Sequence, residues 1–563
     1  MSNRHEQSGL SPVLMWTAGL ATLFVLPKNA FDPINVPKLL VIAVGGFMAL
    51  GALVMQRRVF LHPRYRMVQI FAAAFVLDLV LVLLVSGTNF SQEFFGTFGR
   101  ATGFVAYVSL TFLLVAAVVA AHQSTINRVV WTLVVTGALS IAYGLIQAAG
   151  ADPMKWVSEY SPVIGFLGNP NFQSSFVGFN GVLVFALIFT KQYSVVIRCL
   201  LLMDLALSAY VIGATDSQQG FLVLAGGIAI VGFIWITTSR AKSLTIPALL
   251  TGLIGAAFVT LGSLNSGPLA GLLYKASVTY RGDYWRAGWK MTVEHPFFGV
   301  GLDSYGDWYR RARSVEATLR RGPDVVSNAA HNVLLDLSSN GGFPLLIIYL
   351  FMLGLVLVSS FKVIRRSQGF DPLVTGLFAV WIAYQAQSII SLNQLGLAVW
   401  GWIISGLLIG YEINTRSDTQ VSEDRTPSKK GKTVSSVAQQ KVGAGVLVGM
   451  FAGGLLGLAV GLPPLLASSQ YLTALNSQNP QQVQQAAYIR PLDANYMYRI
   501  ADILVNNKLI AEATAVSNDS IKYFSDDYPI WAIRTRLEGL PQAEIEKAKA
   551  QMKRLDPHNP NLK

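Results

Sequence analysis

GFPLLIIYLFMLGLVLVSSF, residues 342–361, is a run of 20 residues without a charged side chain, and Lys362, Arg365 and Arg366 follow it directly. A helix of about 20 apolar residues is what crosses the hydrocarbon core of a bilayer. A basic cluster at its end marks the cytoplasmic side. Runs of the same kind lie near 12–27, 39–56, 67–86, 103–121, 129–149, 172–190, 199–215, 220–238, 244–263, 372–391, 397–412 and 443–467, so thirteen spans are expected. The composition agrees: 52% of residues are hydrophobic and 13% charged, against about 25% charged in soluble domains. That excludes a cytosolic enzyme, a disordered chain and a collagen-like repeat. A single cysteine, Cys199, allows no internal disulfide and reads as a small packed hydrophobe. The predicted fold is an all-α polytopic membrane protein.

The net charge of +13 has to be divided by side before it says anything about partners. Alternate connections carry Arg57, Arg58, Arg64 and Arg66, then Lys191 and Arg198, then Arg240 and Lys242, then Lys362, Arg365 and Arg366. These connections are expected in the cytoplasm, and the basic excess then needs no nucleic acid. The amino terminus is expected inside, on a first span that is retained and not cleaved as a signal peptide. With thirteen spans the carboxy terminus lies outside. The expected domains are a bundle over 1–412 with a long external loop at 264–341, a flexible cytoplasmic linker over 413–442, a last span at 443–467 and an external helical unit over 468–563. In that unit Pro491-Leu492-Asp493, Asp526-Asp527-Tyr528-Pro529 and Leu555-Asp556-Pro557 recur at a little over thirty residues, a tetratricopeptide-like period suited to a protein partner, or a small helical cap.

The long loop carries the chemistry. Lys275, Arg281, Arg286, Lys290, Arg310, Arg311, Arg313, Arg320 and Arg321 face Asp283, Glu294, Asp303, Asp307, Glu316 and Asp324, a net +3 on the outer side. Guanidinium forks grip phosphate oxygens two at a time, and the simplest anion at a membrane surface is a lipid diphosphate. A solvated face balanced by its acids is the plainer reading. Asp303 and Asp307 read as partners of Arg310 and Arg311 on one helix face. Arg281, Trp285 and Trp289, at i, i+4 and i+8, predict an amphipathic helix lying on the bilayer, with aromatic rings suited to the interface and to sugar faces. His331 stands just before an apolar span, where an imidazole can accept a proton near neutral pH and serve as a general base. Capping or anchoring that span is its structural alternative. His295, before a proline, reads as a bend.

The order of these features resembles the O-antigen ligase and O-antigen polymerase superfamily of bacterial membrane glycosyltransferases across most of 12–412. The resemblance rests on Phe95-Gly96-Thr97-Phe98-Gly99-Arg100, Gly168-Asn169-Pro170-Asn171-Phe172, Arg281 with Trp285, His295-Pro296-Phe297-Phe298-Gly299-Val300-Gly301, and His331-Asn332 followed by Gly342. It implies transfer of a glycan from a polyprenyl diphosphate carrier to a hydroxyl on a glycan, lipid or protein acceptor. It also implies residence in a bacterial plasma membrane and no metal or other cofactor. Carried over by motif, His331 is the base and Arg281 a diphosphate ligand, with Arg100, Arg286, Trp285, Trp289 and Asn332 expected at the substrate. Two departures stand out. Leu345 replaces a second glycine, and Asp216-Ser217-Gln218-Gln219 stands where an arginine after a serine is usual, so Gln219 would have to serve by hydrogen bonding. No HExxH or CxxC motif is present. The alternatives are a protein O-oligosaccharyltransferase of the same superfamily and a lipid-linked glycan transporter relying on Asp78 and Asp204 inside spans.

Overall fold

The computed structural model describes residues 9–156, 158, 161–423 and 443–562. The protein is an all-helical polytopic membrane protein, with no strand among the described residues. Among the described residues, eleven helices are long and apolar enough to cross a membrane, and Leu10–Leu23 and Phe104–Ala120 are shorter apolar helices beside them. Together they coincide with the thirteen expected runs. The expected inside amino terminus begins with residues 1–8, which lie outside the described residues.

Three boundaries differ from expectation. The tenth apolar helix, Val333–Arg366, starts well before 342, and its φ of 75° at Gly342 breaks it there. The twelfth, Leu395–Glu423, runs into the segment expected to be a flexible linker. The remainder of that linker, 424–442, lies outside the described residues. The thirteenth, Ala444–Asn476, crosses the expected 467/468 boundary without interruption. At 1.5 Å per residue its 33 residues extend about 50 Å, beyond the ~30 Å hydrocarbon core, so it carries the C-terminal helices on a rigid stem.

That stem is held by glycines four residues apart. A Cβ at Gly453 would lie 2.0 Å from the Phe47 carbonyl oxygen, and one at Gly457 2.5 Å from that of Ala43, both on the helix Asn35–Met55. Small residues allow the backbones to meet, and close packing drives helix association where lipid removes the hydrophobic driving force. In the core, Trp400 donates to the Thr22 hydroxyl at 2.8 Å and Trp381 to that of Ser405 at 2.9 Å. Asp204 accepts from Asn180 at 2.6 Å inside the bundle.

One end of the bundle gathers the connections 24–34, 86–103 and 264–332 with the C-terminal helices. Those helices form hairpins, Ala494–Asn506 on Ile510–Tyr523 and Tyr528–Arg534 on Gln542–Leu555. Phe31, Phe98, Tyr471 and Tyr496 stack where stem, loops and hairpins meet.

Candidate functional site

The long loop contains a helix, Ala276–Glu294, whose Tyr284, Ala287, Gly288 and Met291 recur at i, i+3, i+4 and i+7 and are buried. Arg281, Trp285 and Trp289 run along the adjoining edge of that face, with Arg281 half-buried. Trp289 is exposed, its ring edge-on to Phe343, and Trp285 is half-buried with an indole nitrogen that has no partner among the described residues. The buried face closes on the chain before His331 because the helix is narrow there. A Cβ at Gly288 would already sit 3.4 Å from that of Ala330. This approach sets the Tyr284 ring 5.4 Å from the His331 ring.

His331 itself is held in the left-handed region at φ 52°, which a histidine adopts at some cost and only when its surroundings impose it. On one side the Asn332 side chain caps the following helix, accepting from Leu334 and Leu335 at 3.0 and 3.1 Å. On the other, Asp336 accepts from the Ala330 amide at 2.7 Å, and Arg100 donates to the Asn328 carbonyl at 2.8 Å. Arg100 is fully enclosed between Asp303 at 3.1 Å and Asp336 at 3.6 Å. Two of the residues expected at the substrate therefore have structural partners: Asn332 caps a helix, and Arg100 neutralises two carboxylates while bracing the His331 turn.

The His295–Gly301 motif braces the same turn from below. Val300 and Gly301 donate to the carbonyls of Ser339 and Asn340 at 2.8 and 3.1 Å, and Phe343 donates to that of Pro296 at 2.8 Å. These bonds occupy backbone groups freed by the break at Gly342. The His295 ring packs against Trp308 at 4.6 Å.

The nine cations of the loop divide by partner. Arg286 and Arg320 both bind the buried Asp283, Arg320 at 2.5 Å. Lys290 faces Glu294 at 3.9 Å, and Lys275 donates to the Asp216 carbonyl at 3.2 Å. Arg310 and Arg313 bind Asp556 at 3.0 and 2.7 Å, and Arg311 binds Asp526 at 2.9 Å. The expected pairing of Asp303 and Asp307 with Arg310 and Arg311 is thus corrected. Asp303 precedes the helix Tyr305–Ala312 and binds Arg100, Thr97 and Thr102, whereas Asp307 accepts from Gln92 at 2.6 Å. Asp307 stands one turn before Arg310 and Arg311 on the same helix, but its carboxylate is taken by Gln92, and the arginines meet carboxylates of the C-terminal helices instead.

Two cations remain. Arg281 has no hydrogen-bond or carboxylate partner among the described residues, and burial holds its guanidinium pKa below the ordinary value. Arg321 lies 4.3 Å over the Tyr280 ring, donates to the Tyr284 hydroxyl and has no carboxylate partner among the described residues. Both act on His331, whose pKa falls to about 4 through burial first and then through the charges of Arg281, Arg100 and Arg321. Arg321 was not singled out from sequence. Nothing in a run of nine basic residues tells which ones a distant aspartate will take.

Gln219 is the second residue of the helix Gln218–Thr238 and is buried with neither amide atom bonded among the described residues. The Ser217 hydroxyl beside it donates to Asn171 at 2.7 Å, which joins the Gly168–Phe172 motif to this turn. No bond or ring contact among the described residues links Gln219 or Arg286 to His331. The described residues contain no group of three or more histidine, cysteine or acidic side chains able to hold a metal ion.

No curated protein matches the chain. Residues 204–350, which include Gln219, Arg281, Arg321 and His331, match the family model described as O-antigen ligase, so this part of the chain is similar to the O-antigen ligase family.

Proposed function

We propose that the protein transfers a glycan from a polyprenyl diphosphate carrier to an acceptor hydroxyl, with His331 as general base and Arg281 and Arg321 as the diphosphate ligands. The observation that carries this reading is the meeting of a neutral imidazole with two guanidiniums that have no carboxylate partner among the described residues, at the mouth of an apolar bundle. Two positive charges with no acid of their own are a binding site for an anion with two phosphates. When that anion binds, it offsets the arginine charges and raises the His331 pKa, so the base strengthens only with donor in place. The acceptor oxygen then attacks the anomeric carbon and its proton passes to His331. The bond from that carbon to the diphosphate oxygen breaks, and the arginines hold the charge that develops on the departing polyprenyl diphosphate. Arg100 and Asp336 are positioning residues for the His331 turn, and Gln219 is a further hydrogen-bonding group toward the donor.

The basic clusters on the opposite connections support a cytoplasmic amino terminus, with the site and the C-terminal helices on the outer face of a bacterial plasma membrane. The tetratricopeptide-like period supports a protein partner for 468–563. Ligase, polymerase and protein oligosaccharyltransferase activities share this chemistry. The test is reconstitution with a lipid diphosphate-linked oligosaccharide and candidate acceptors, read by product size. A ladder identifies a polymerase and a single shift on one acceptor a ligase. Wild-type turnover by His331→Ala overturns the mechanism.

A further inference from the structure

Two apolar crevices flank the helix Gln123–Ala148, and no residue of the long loop lines either. One, of about 520 Å³, lies against the helix Leu10–Leu23, and the other, of about 490 Å³, against Val195–Ala214. Trp131 belongs to both and divides them. The exposed residues Trp131, Val135, Ala138 and Ala142, at i, i+4, i+7 and i+11, form the ridge between. At 1.5 Å per residue the first crevice runs about 16 Å along the helix, from Arg128 to Leu139, and the second about 21 Å, from Trp131 to Leu145. Each is close to the depth of one leaflet, half of the ~30 Å hydrocarbon core.

The charge at their shared end selects the occupant. There Trp131 meets Tyr193, on the connection between Pro170–Ile188 and Val195–Ala214, with ring centroids 5.9 Å apart. Tryptophan and tyrosine rings gather where lipid meets water. About one turn before Trp131 stands Arg128, exposed, and its guanidinium has no hydrogen-bond or carboxylate partner among the described residues. Lys191, two residues before Tyr193, is also exposed, while Arg198 turns back onto the carbonyls of Thr190 and Lys191 at 3.1 and 3.4 Å. The chain has no acidic residue from 94 to 151 or from 160 to 203. Asp204, further along the wall of the second crevice, is turned to Asn180 and Ser208 at 2.6 and 3.4 Å. Two slots of leaflet depth that open side by side at one cation match the plan of a two-chain phospholipid. Its acyl chains fill the slots, and its phosphate offers two oxygens to the Arg128 fork. A zwitterionic headgroup would bring its own cation to an end that already has two, whereas a net negative one is attracted there. We propose that an anionic diacyl phospholipid straddles the helix Gln123–Ala148, with one chain in each crevice and its phosphate on Arg128. In the orientation proposed above this lipid belongs to the cytoplasmic leaflet, and only the choice of leaflet rests on that reading.

The test uses the full chain, delipidated in detergent, and native mass spectrometry with dioleoyl phosphatidylglycerol, dioleoyl phosphatidylcholine and single-chain oleoyl lysophosphatidylglycerol. The first phosphatidylglycerol should bind about tenfold more tightly than phosphatidylcholine, the lower worth of a hydrogen bond to a charged group, and more tightly than the single-chain lipid. Arg128→Gln should remove the headgroup preference, and Arg58→Gln, on another basic connection, should keep it. Ala138→Trp, in the wall of one crevice, should bring the two-chain lipid down to the affinity of the single-chain one. Equal binding of phosphatidylglycerol and phosphatidylcholine by the wild type overturns the proposal, whether or not the variants fold. So do equal affinities of the wild type for the one- and two-chain lipids. A preference that survives Arg128→Gln also overturns it, since a general attraction to the basic connections would give that result. Binding is read without turnover, so this result and the transfer reading stand or fall separately.

Discussion

The substitution Asp556→Asn tests whether the arginines of the long loop serve as a clamp on the C-terminal helices. Asp556 is fully buried, and both of its oxygens lie 2.7–2.8 Å from the Arg313 guanidinium, which is 1% exposed. Arg310 adds a contact at 3.0 Å, and Arg310 and Arg313 also donate to the Pro323 carbonyl, each at 2.8 Å. Removing the negative charge leaves a buried guanidinium uncompensated, which costs about 3–5 kcal/mol. That is roughly two to four powers of ten in the docking equilibrium. The stem and the Phe31–Tyr471–Tyr496 stack still tether the unit, so the loss is local opening and not release. Hydrogen exchange on the full chain should then rise in Tyr305–Arg321 and Gln542–Leu555 by two orders of magnitude or more, with the bundle helices unchanged. Trypsin should cut at Arg310, Arg311 and Arg313. The double substitution Arg313→Met with Asp556→Leu removes both charges and should recover most of the protection. Wild-type exchange in Asp556→Asn, or no recovery in the double variant, refutes the clamp.

Three further outcomes are expected. With His331 lowered to about 4, the ratio kcat/KM should stay flat from pH 7 to 5 and fall only near 4, whereas an ordinary imidazole would lose roughly tenfold by pH 5.5. An acid limb at 6.5 in initial rates excludes His331 as the base in this setting. The same depression means that the stability His331 contributes is complete above 6.5 and lost as pH falls from there toward about 4, so thermal unfolding of wild type and His331→Phe should converge below neutrality. Arg321→Gln should raise KM for the lipid diphosphate donor by about 10- to 100-fold, the worth of a hydrogen bond to a charged group, and an unchanged KM removes Arg321 from the donor site. Gly453→Val forces side-chain atoms into the Phe47 carbonyl and should lower stability by about 1–3 kcal/mol, checked by thermal unfolding in detergent. An unaltered midpoint shows that the stem does not pair as described.

The spans were legible because twenty apolar residues have one physical use, and the His331 turn because a histidine, a capping asparagine and an apolar run stand side by side. The ends of helices were less so. Pairing between neighbours, and not hydropathy, decided that the tenth helix starts at Val333 and bends at Gly342, where the turn Pro296–Gly301 takes over its backbone bonds.

From sequence alone came the membrane class, the number of apolar helices and the concentration of arginine, aromatic and histidine residues in one connection, since these depend on composition and local order. Only the tertiary structure decided which arginines remain available. Ion pairs form between whichever charges the fold brings within about 4 Å, and Arg313 meets Asp556 across 243 residues of chain. A carboxylate that far away leaves no trace in the local pattern, so the separation of clamp from candidate site becomes visible only once the chain has folded.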